Sequence, residues 1–189
     1  MKKARRRLSQ AEREVEILEA SLRVFDAQPY QDISVERIAK EAGISAGLLY
    51  HYFPDKGALF GAAYDYLAKT FVRTLTVESK GSPWETVEAG LDNYLQYAEN
   101  NPRTIKLILR PGGIKELGGM NDRINLRYTK AIAEILGIKA SDSLRLIAIR
   151  SWIAFTDKIV LDWIEEKRKK PRARIHNLTI KVLRSALES

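Results

Sequence analysis

Apolar residues recur along almost the whole chain at the three-to-four-residue spacing of helices, and no Val, Ile and Thr run bounded by turn residues calls for a strand. Pro and Gly interrupt the pattern at Gln28-Pro29, Ala42-Gly43, Phe53-Pro54, Lys80-Gly81-Ser82-Pro83, Asn100-Asn101-Pro102, Arg110-Pro111-Gly112-Gly113, Gly118-Gly119, Gly137 and Pro171. The expected fold class is all-α with about nine helices. Three short helices come first, a longer one covers about 55–77, and five more follow.

Local signals are densest in the first 53 residues. Ile17, Leu18, Leu22 and Phe25 form an apolar stripe on the first helix, with Arg13, Glu14, Glu16 and Arg23 mostly opposite. Ser34 reads as the N-cap of the second helix, where Ile33 and Ile38 can close a hydrophobic staple and Val35, Ala39 and Ala42 face inward. Gly43 suits the left-handed residue that ends this helix. Ser45 repeats the cap for a third helix, with Ile44 and Leu49 as its staple, and Asp55 would cap the fourth.

Two short helices joined by a Gly-containing turn, with small Ala39 where they must approach closely, make a helix-turn-helix. If Leu49 and Phe53 are the buried i, i+4 pair of the third helix, then Ala46, Gly47, Tyr50 and His51 project from its other side. A merely solvated face would carry Lys and Glu. Small residues let a helix enter a groove, and Tyr50, His51 and Tyr52 can then donate to phosphate oxygens or meet base edges. The same three aromatic residues could instead cover the junction of the third and fourth helices, and the sequence leaves both readings open.

Charge and composition narrow the classes. The formal net charge of +8, from 32 Lys and Arg against 24 Asp and Glu, suits a polyanionic partner. Residues 1–60 are nearly balanced, so the excess lies further on. Two local clusters stand out: Lys2, Lys3, Arg5, Arg6 and Arg7 at the start, and residues 167–174, which could be a solvated face or a polybasic patch. The absence of cysteine excludes disulfides, thiolate metal sites and cysteine nucleophiles, and two distant histidines give no local metal motif. No cofactor is called for. The first seven residues resemble the start of a signal peptide, but Glu12, Glu14, Glu16 and Glu19 stand where its apolar stretch should be, and a cytoplasmic chain is expected. Gly43-Ile44-Ser45-Ala46-Gly47 is a literal G-x-S-x-G, yet a helix rather than a strand precedes its Ser, so no enzyme is expected.

The run ILEASLRVFDAQPYQDISVERIAKEAGISAGLLYHYFPDKGAL, residues 17–59, resembles the DNA-binding domain of the TetR family of prokaryotic transcriptional regulators. The resemblance is carried by Ile17-Leu18-Glu19-Ala20 through Phe25, Ile38-Ala39, Ala42-Gly43-Ile44-Ser45, Leu49-Tyr50-His51-Tyr52-Phe53 and Lys56; beyond about Leu75 only length and helicity match. It implies an arm and helix-turn-helix domain over 1–54, and a linking helix with a ligand-binding and dimerisation domain over 55–189. By the same resemblance Ser34 and Arg37 approach phosphates, Ser45 contacts DNA at the start of the third helix, Ala46, Gly47, Leu48 and Tyr50 face bases, and His51, Tyr52 and Lys56 hold phosphates. Lys2, Lys3, Arg5, Arg6 and Arg7 are similar to an arm laid along the minor groove. Three positions depart from the family pattern. Pro29 stands for a usual Gly, Leu48 for a common Thr and Gly57 for a typical Glu.

The implied function is a cytoplasmic, sequence-specific repressor that binds a palindromic double-stranded operator as a homodimer and is released by an apolar or aromatic effector. The alternative is a helical protein that binds nucleic acid or a membrane surface without sequence choice through the basic patch. Residues 141–167 should form a helix of roughly 40 Å, apolar on more than one side, and with the amphipathic last helix it is expected to pair with a second copy. Tyr94, Tyr97, Tyr128, Trp152 and Phe155 supply aromatic surface that would either line an effector cavity or pack as plain core.

Overall fold

The computed structural model describes residues 9–77, 81–110, 119–167 and 169–188. The basic residues Lys2, Lys3, Arg5, Arg6 and Arg7 and the sequence breaks over 111–118 lie outside them. Among the described residues there are nine α-helices and no strand. In order they are α1 (Gln10–Ala27), α2 (Val35–Glu41), α3 (Ala46–Tyr52), α4 (Lys56–Val77), α5 (Pro83–Asn100), α6 (Pro102–Leu109), α7 (Met120–Ile135), α8 (Ser143–Glu165) and α9 (Arg172–Glu188).

The first helix departs from expectation: it is 18 residues long rather than short. Its early start comes from a capping box, in which Ser9 Oγ accepts from the Glu12 backbone N–H at 3.2 Å while the Ser9 N–H donates to the Glu12 carboxylate at 2.8 Å. After α1, Pro29 leads into a single 3₁₀ turn, Tyr30–Asp32, closed by the Asp32 N–H on the Pro29 carbonyl at 3.0 Å. The chain thereby turns without the glycine that Pro29 replaces.

The chain divides into two compact units, Met1–Tyr66 and Leu67–Ser189, with the division falling inside α4. In the first unit Ile17, Leu18, Val24 and Phe25 of α1 are buried with Ile38 and Ala39 of α2, Leu49 of α3 and Phe60 of α4. An aromatic group anchors this core: the Phe60 ring lies 4.2 Å from Phe25, 4.6 Å from Tyr30 and 4.7 Å from Tyr64. In the second unit, Leu91 and Leu95 of α5 and Ile105 of α6 pack with Ile132 of α7, Ile149, Ile153 and Val160 of α8, and Ile180 and Leu183 of α9. As its sequence requires, α8 is apolar on more than one side. Trp152, Trp163 and Ile164 are buried, while Leu144 and Ile147 remain 69% and 51% exposed.

Candidate nucleic-acid interface

The geometry of α3 follows from its flanking residues. Ser34 Oγ accepts from the Arg37 N–H at 3.2 Å to start α2, and Ser45 Oγ accepts from the Leu48 N–H at 3.1 Å to start α3. Between them Gly43 has φ 66°, where a Cβ would be strained, and the Ile44 N–H returns to the Ala39 carbonyl at 2.9 Å. That turn fixes how α3 leaves α2. Leu49 is then 1% exposed and Phe53, which ends the helix, 6%. With this side inward, Gly47, Leu48, Tyr50 and His51 are exposed and Ala46 and Tyr52 are half-buried.

Gly47 separates the demands of the fold from those of a partner. A Cβ built there meets nothing within 4 Å, and its φ is not left-handed, so nothing inside the molecule asks for glycine. Glycine in a helix costs about 0.5–1 kcal/mol relative to alanine. Its neighbours are large and open to solvent, Leu48 at 40% and Tyr50 at 47% exposure. His51 and Tyr52 meet edge to face at 5.8 Å, which sets one ring against the other beside this surface. Ser34 and Arg37 are exposed at the start of α2.

Lys56 is differently placed from the rest of the expected set. Its ammonium donates to the carbonyls of Tyr30 at 2.9 Å and Ile33 at 3.0 Å, and lies 4.1 Å from the Tyr30 ring centroid. Two of its three donors therefore clamp the chain between α1 and α2. The fourth helix begins as anticipated, with Asp55 Oδ1 accepting from the Ala58 N–H at 2.7 Å. Gly57, at the usual Glu position, is buried.

The five aromatic residues that would either line an effector cavity or pack as plain core do not share one environment. Trp152 donates through Nε1 to the Thr179 carbonyl at 2.6 Å, joining α8 to α9. Phe155 is 37% exposed, and half-buried Tyr97 packs against the core. Tyr94 of α5 and Tyr128 of α7 do meet, around Asp157 of α8, a residue the sequence reading did not single out. The Tyr94 hydroxyl donates to Asp157 Oδ1 at 2.9 Å. Burial pushes the Asp157 carboxyl up to about 7, and it pushes both phenols above their ordinary range. The available signal was the apolar set around Asp157 on its helix, Ile153, Val160, Leu161 and Ile164, all of them buried.

Part of the second basic cluster is neutralised within the second unit. Arg172 lies 3.2 Å from Asp92 and 3.4 Å from Glu99, beside a cleft of about 420 Å³ that His176 and Asn177 also line. Lys169, Lys170 and Arg174 are exposed, and Arg168 lies outside the described residues. Among the described residues no group of three or more His, Cys, Asp or Glu could hold a metal ion, and no helix is long and apolar enough to cross a membrane.

Residues 17–63 match the family described as bacterial regulatory proteins, tetR family. An uncharacterized HTH-type transcriptional regulator of Bacillus subtilis, YuxN, is 44% identical over 71 residues, which cover 37% of this chain and 24% of that protein. The nucleoid occlusion factor SlmA of Haemophilus ducreyi is 27% identical over 153 residues, covering 79% of this chain and 73% of that one. Among solved structures, a tetR-family transcriptional regulator from Streptomyces coelicolor superposes with a TM-score of 0.79 at 21% identity, over 96% of this chain and 82% of that chain.

Proposed function

Because the chain belongs to the tetR family of bacterial regulatory proteins through residues 17–63, we propose that it is a sequence-specific repressor that leaves its operator when a small molecule binds the second unit. The observation that carries this reading is the outward face of α3, where Gly47 is unneeded by the fold and Leu48 and Tyr50 are large and exposed. Ala46 and Gly47 let the helix approach the floor of the major groove. Tyr50 and Leu48 meet base edges there, Leu48 offering apolar contact to a thymine methyl where a Thr would have offered a hydroxyl. Ser34, Arg37, His51 and Tyr52 hold phosphates on either side, with Lys56 giving its remaining donor. Lys2, Lys3, Arg5, Arg6 and Arg7 add an arm whose contribution is electrostatic and falls as salt rises.

The chain acts as a homodimer, supported by the apolar residues that α8 and α9 leave exposed, Leu144, Ile147 and Phe155 on one and Leu178 on the other. Two-fold symmetry then requires a near-palindromic operator whose half-sites lie about 34–36 Å apart. The effector acts by binding one conformation of the second unit more tightly than the other.

Selection of bound sequences from a random DNA pool, with bulk DNA as competitor, tests the core of this reading. The expected outcome is a palindromic consensus bound about 10³-fold or more tighter than random DNA at physiological salt. Binding governed by salt alone, with no consensus, would instead establish the non-specific alternative.

A second reading is favoured by the length of the likeness to SlmA, which runs well beyond the DNA-binding residues. On it the chain is a nucleoid occlusion factor rather than a local repressor. Mapping bound sites across the genome separates the two, because a local repressor occupies few.

A further inference from the structure

Three helices of the second unit bring one carboxylate and two phenols together. Asp157 comes from α8, Tyr94 from α5 and Tyr128 from α7, and all three side chains are half-buried rather than sealed. Tyr94 supplies one hydrogen bond to Asp157 Oδ1. An ionised carboxylate has about four acceptor positions, so most of its capacity is unused by that bond. Among the described residues no Lys, Arg or His pairs with Asp157, and its neighbours one helical turn away, Ile153, Val160 and Leu161, are buried and apolar.

A carboxylate in such surroundings is costly unless a cation compensates it. Two phenol rings beside it favour positive charge, through the negative faces of their π systems. The buried side chains one turn from Asp157 are apolar and offer nothing that would hold an anionic head.

We propose that Asp157, with Tyr94 and Tyr128, forms the polar end of an effector site for an organic cation: a protonated amine carried on an apolar or aromatic body. The inference rests on the effector-responsive reading above and specifies the effector's charge. The ammonium donates to the Asp157 carboxylate and lies against the two phenol rings, and the apolar body packs on the apolar side chains beside them. The titratable groups facing Asp157 are the Tyr94 phenol from α5 and the Tyr128 phenol from α7. Both stay protonated through the neutral range, so only the carboxylate changes charge there.

The test uses the full chain and three probes of matched size: 2-phenylethylamine, 2-phenylethanol and phenylacetate, titrated by calorimetry. At pH 8 the amine should bind at least tenfold tighter than the alcohol, and phenylacetate weakest of all. Asp157→Asn should abolish the preference for the amine while keeping the thermal transition. At pH 6 the wild-type preference should shrink as the carboxyl protonates, and this comparison needs no substitution should the variant fail to fold. Equal binding of amine and alcohol, no amine binding, or an amine preference that survives either Asp157→Asn or the drop in pH would overturn the proposal. The outcome is separable from the regulator reading. A selected operator with no amine preference removes this site alone, whereas an amine site in a chain that selects no operator removes the regulator and leaves the site standing.

Discussion

Gly47 and its neighbours on α3 carry opposite demands that a substitution can separate. Since a Cβ there meets nothing, Gly47→Ala should raise the stability of the first unit by about 0.5–1 kcal/mol, through helix propensity and reduced freedom of the unfolded chain. The same methyl should weaken operator binding, so a thermal melt and a DNA titration should move in opposite senses. Tyr50→Ala should lower operator affinity tenfold or more with helicity unchanged by circular dichroism, because its exposed ring contributes little to the core. Lys56 behaves in the other way. Its charged hydrogen bonds to the Tyr30 and Ile33 carbonyls are of a kind worth about 1.5–3 kcal/mol, so Lys56→Met should lower the urea midpoint as well as DNA affinity. A change in affinity alone would mean that the clamp is unimportant.

At the scale of the element, α3 has only seven residues and cannot persist alone; it is held by its Ser45 cap and by Leu49 and Phe53 beneath it. Phe53→Ala should cost about 3–5 kcal/mol and abolish DNA binding by unfolding the first unit rather than by removing a contact. In α8, Asp157 gives the second unit a distinctive pH response. Its folded pKa, about 7, lies above the ordinary 3.8, so between these values the folded chain holds a proton that the unfolded chain has released. The group's contribution to stability is therefore full at low pH, declines as pH rises above about 4, and is lost above about 7. Melting temperatures between pH 5 and 8 should fall more steeply for the wild type than for Asp157→Asn, which cannot titrate. Parallel curves would place the carboxyl in water.

For the whole molecule, the exposed apolar residues of α8 and α9 bear on assembly. Leu178 is 47% exposed on α9, and a charge there would be buried without a partner in any interface built on that face. Leu178→Glu should convert a dimer to monomer by sedimentation at micromolar concentration while leaving the helical content intact. Binding to a two-half-site operator should then fall much further than binding to a single half-site, since each copy carries one α3.

Much of this protein could be read along the chain because the relevant interactions span at most a turn or two. Helical period, the Ser34 and Ser45 caps, the left-handed Gly43 and the inward Leu49 are set by residues within about five positions of one another. The side of α3 left outward followed from that local pattern. The start of α1 is equally local, set by the Ser9 and Glu12 capping box. Other features are long-range. Lys56 finds carbonyls 26 and 23 positions away, Trp152 a carbonyl 27 away, and Asp157 a hydroxyl 63 away. No periodicity encodes which helices will meet, because packing of whole apolar faces decides it. Sequence alone thus determined the helices and the face that α3 presents, by local hydrogen bonding and amphipathic spacing. Only the tertiary structure decided that Lys56 braces a turn, that the aromatic residues of the second unit divide among different environments, and that an uncompensated carboxylate lies between two of them.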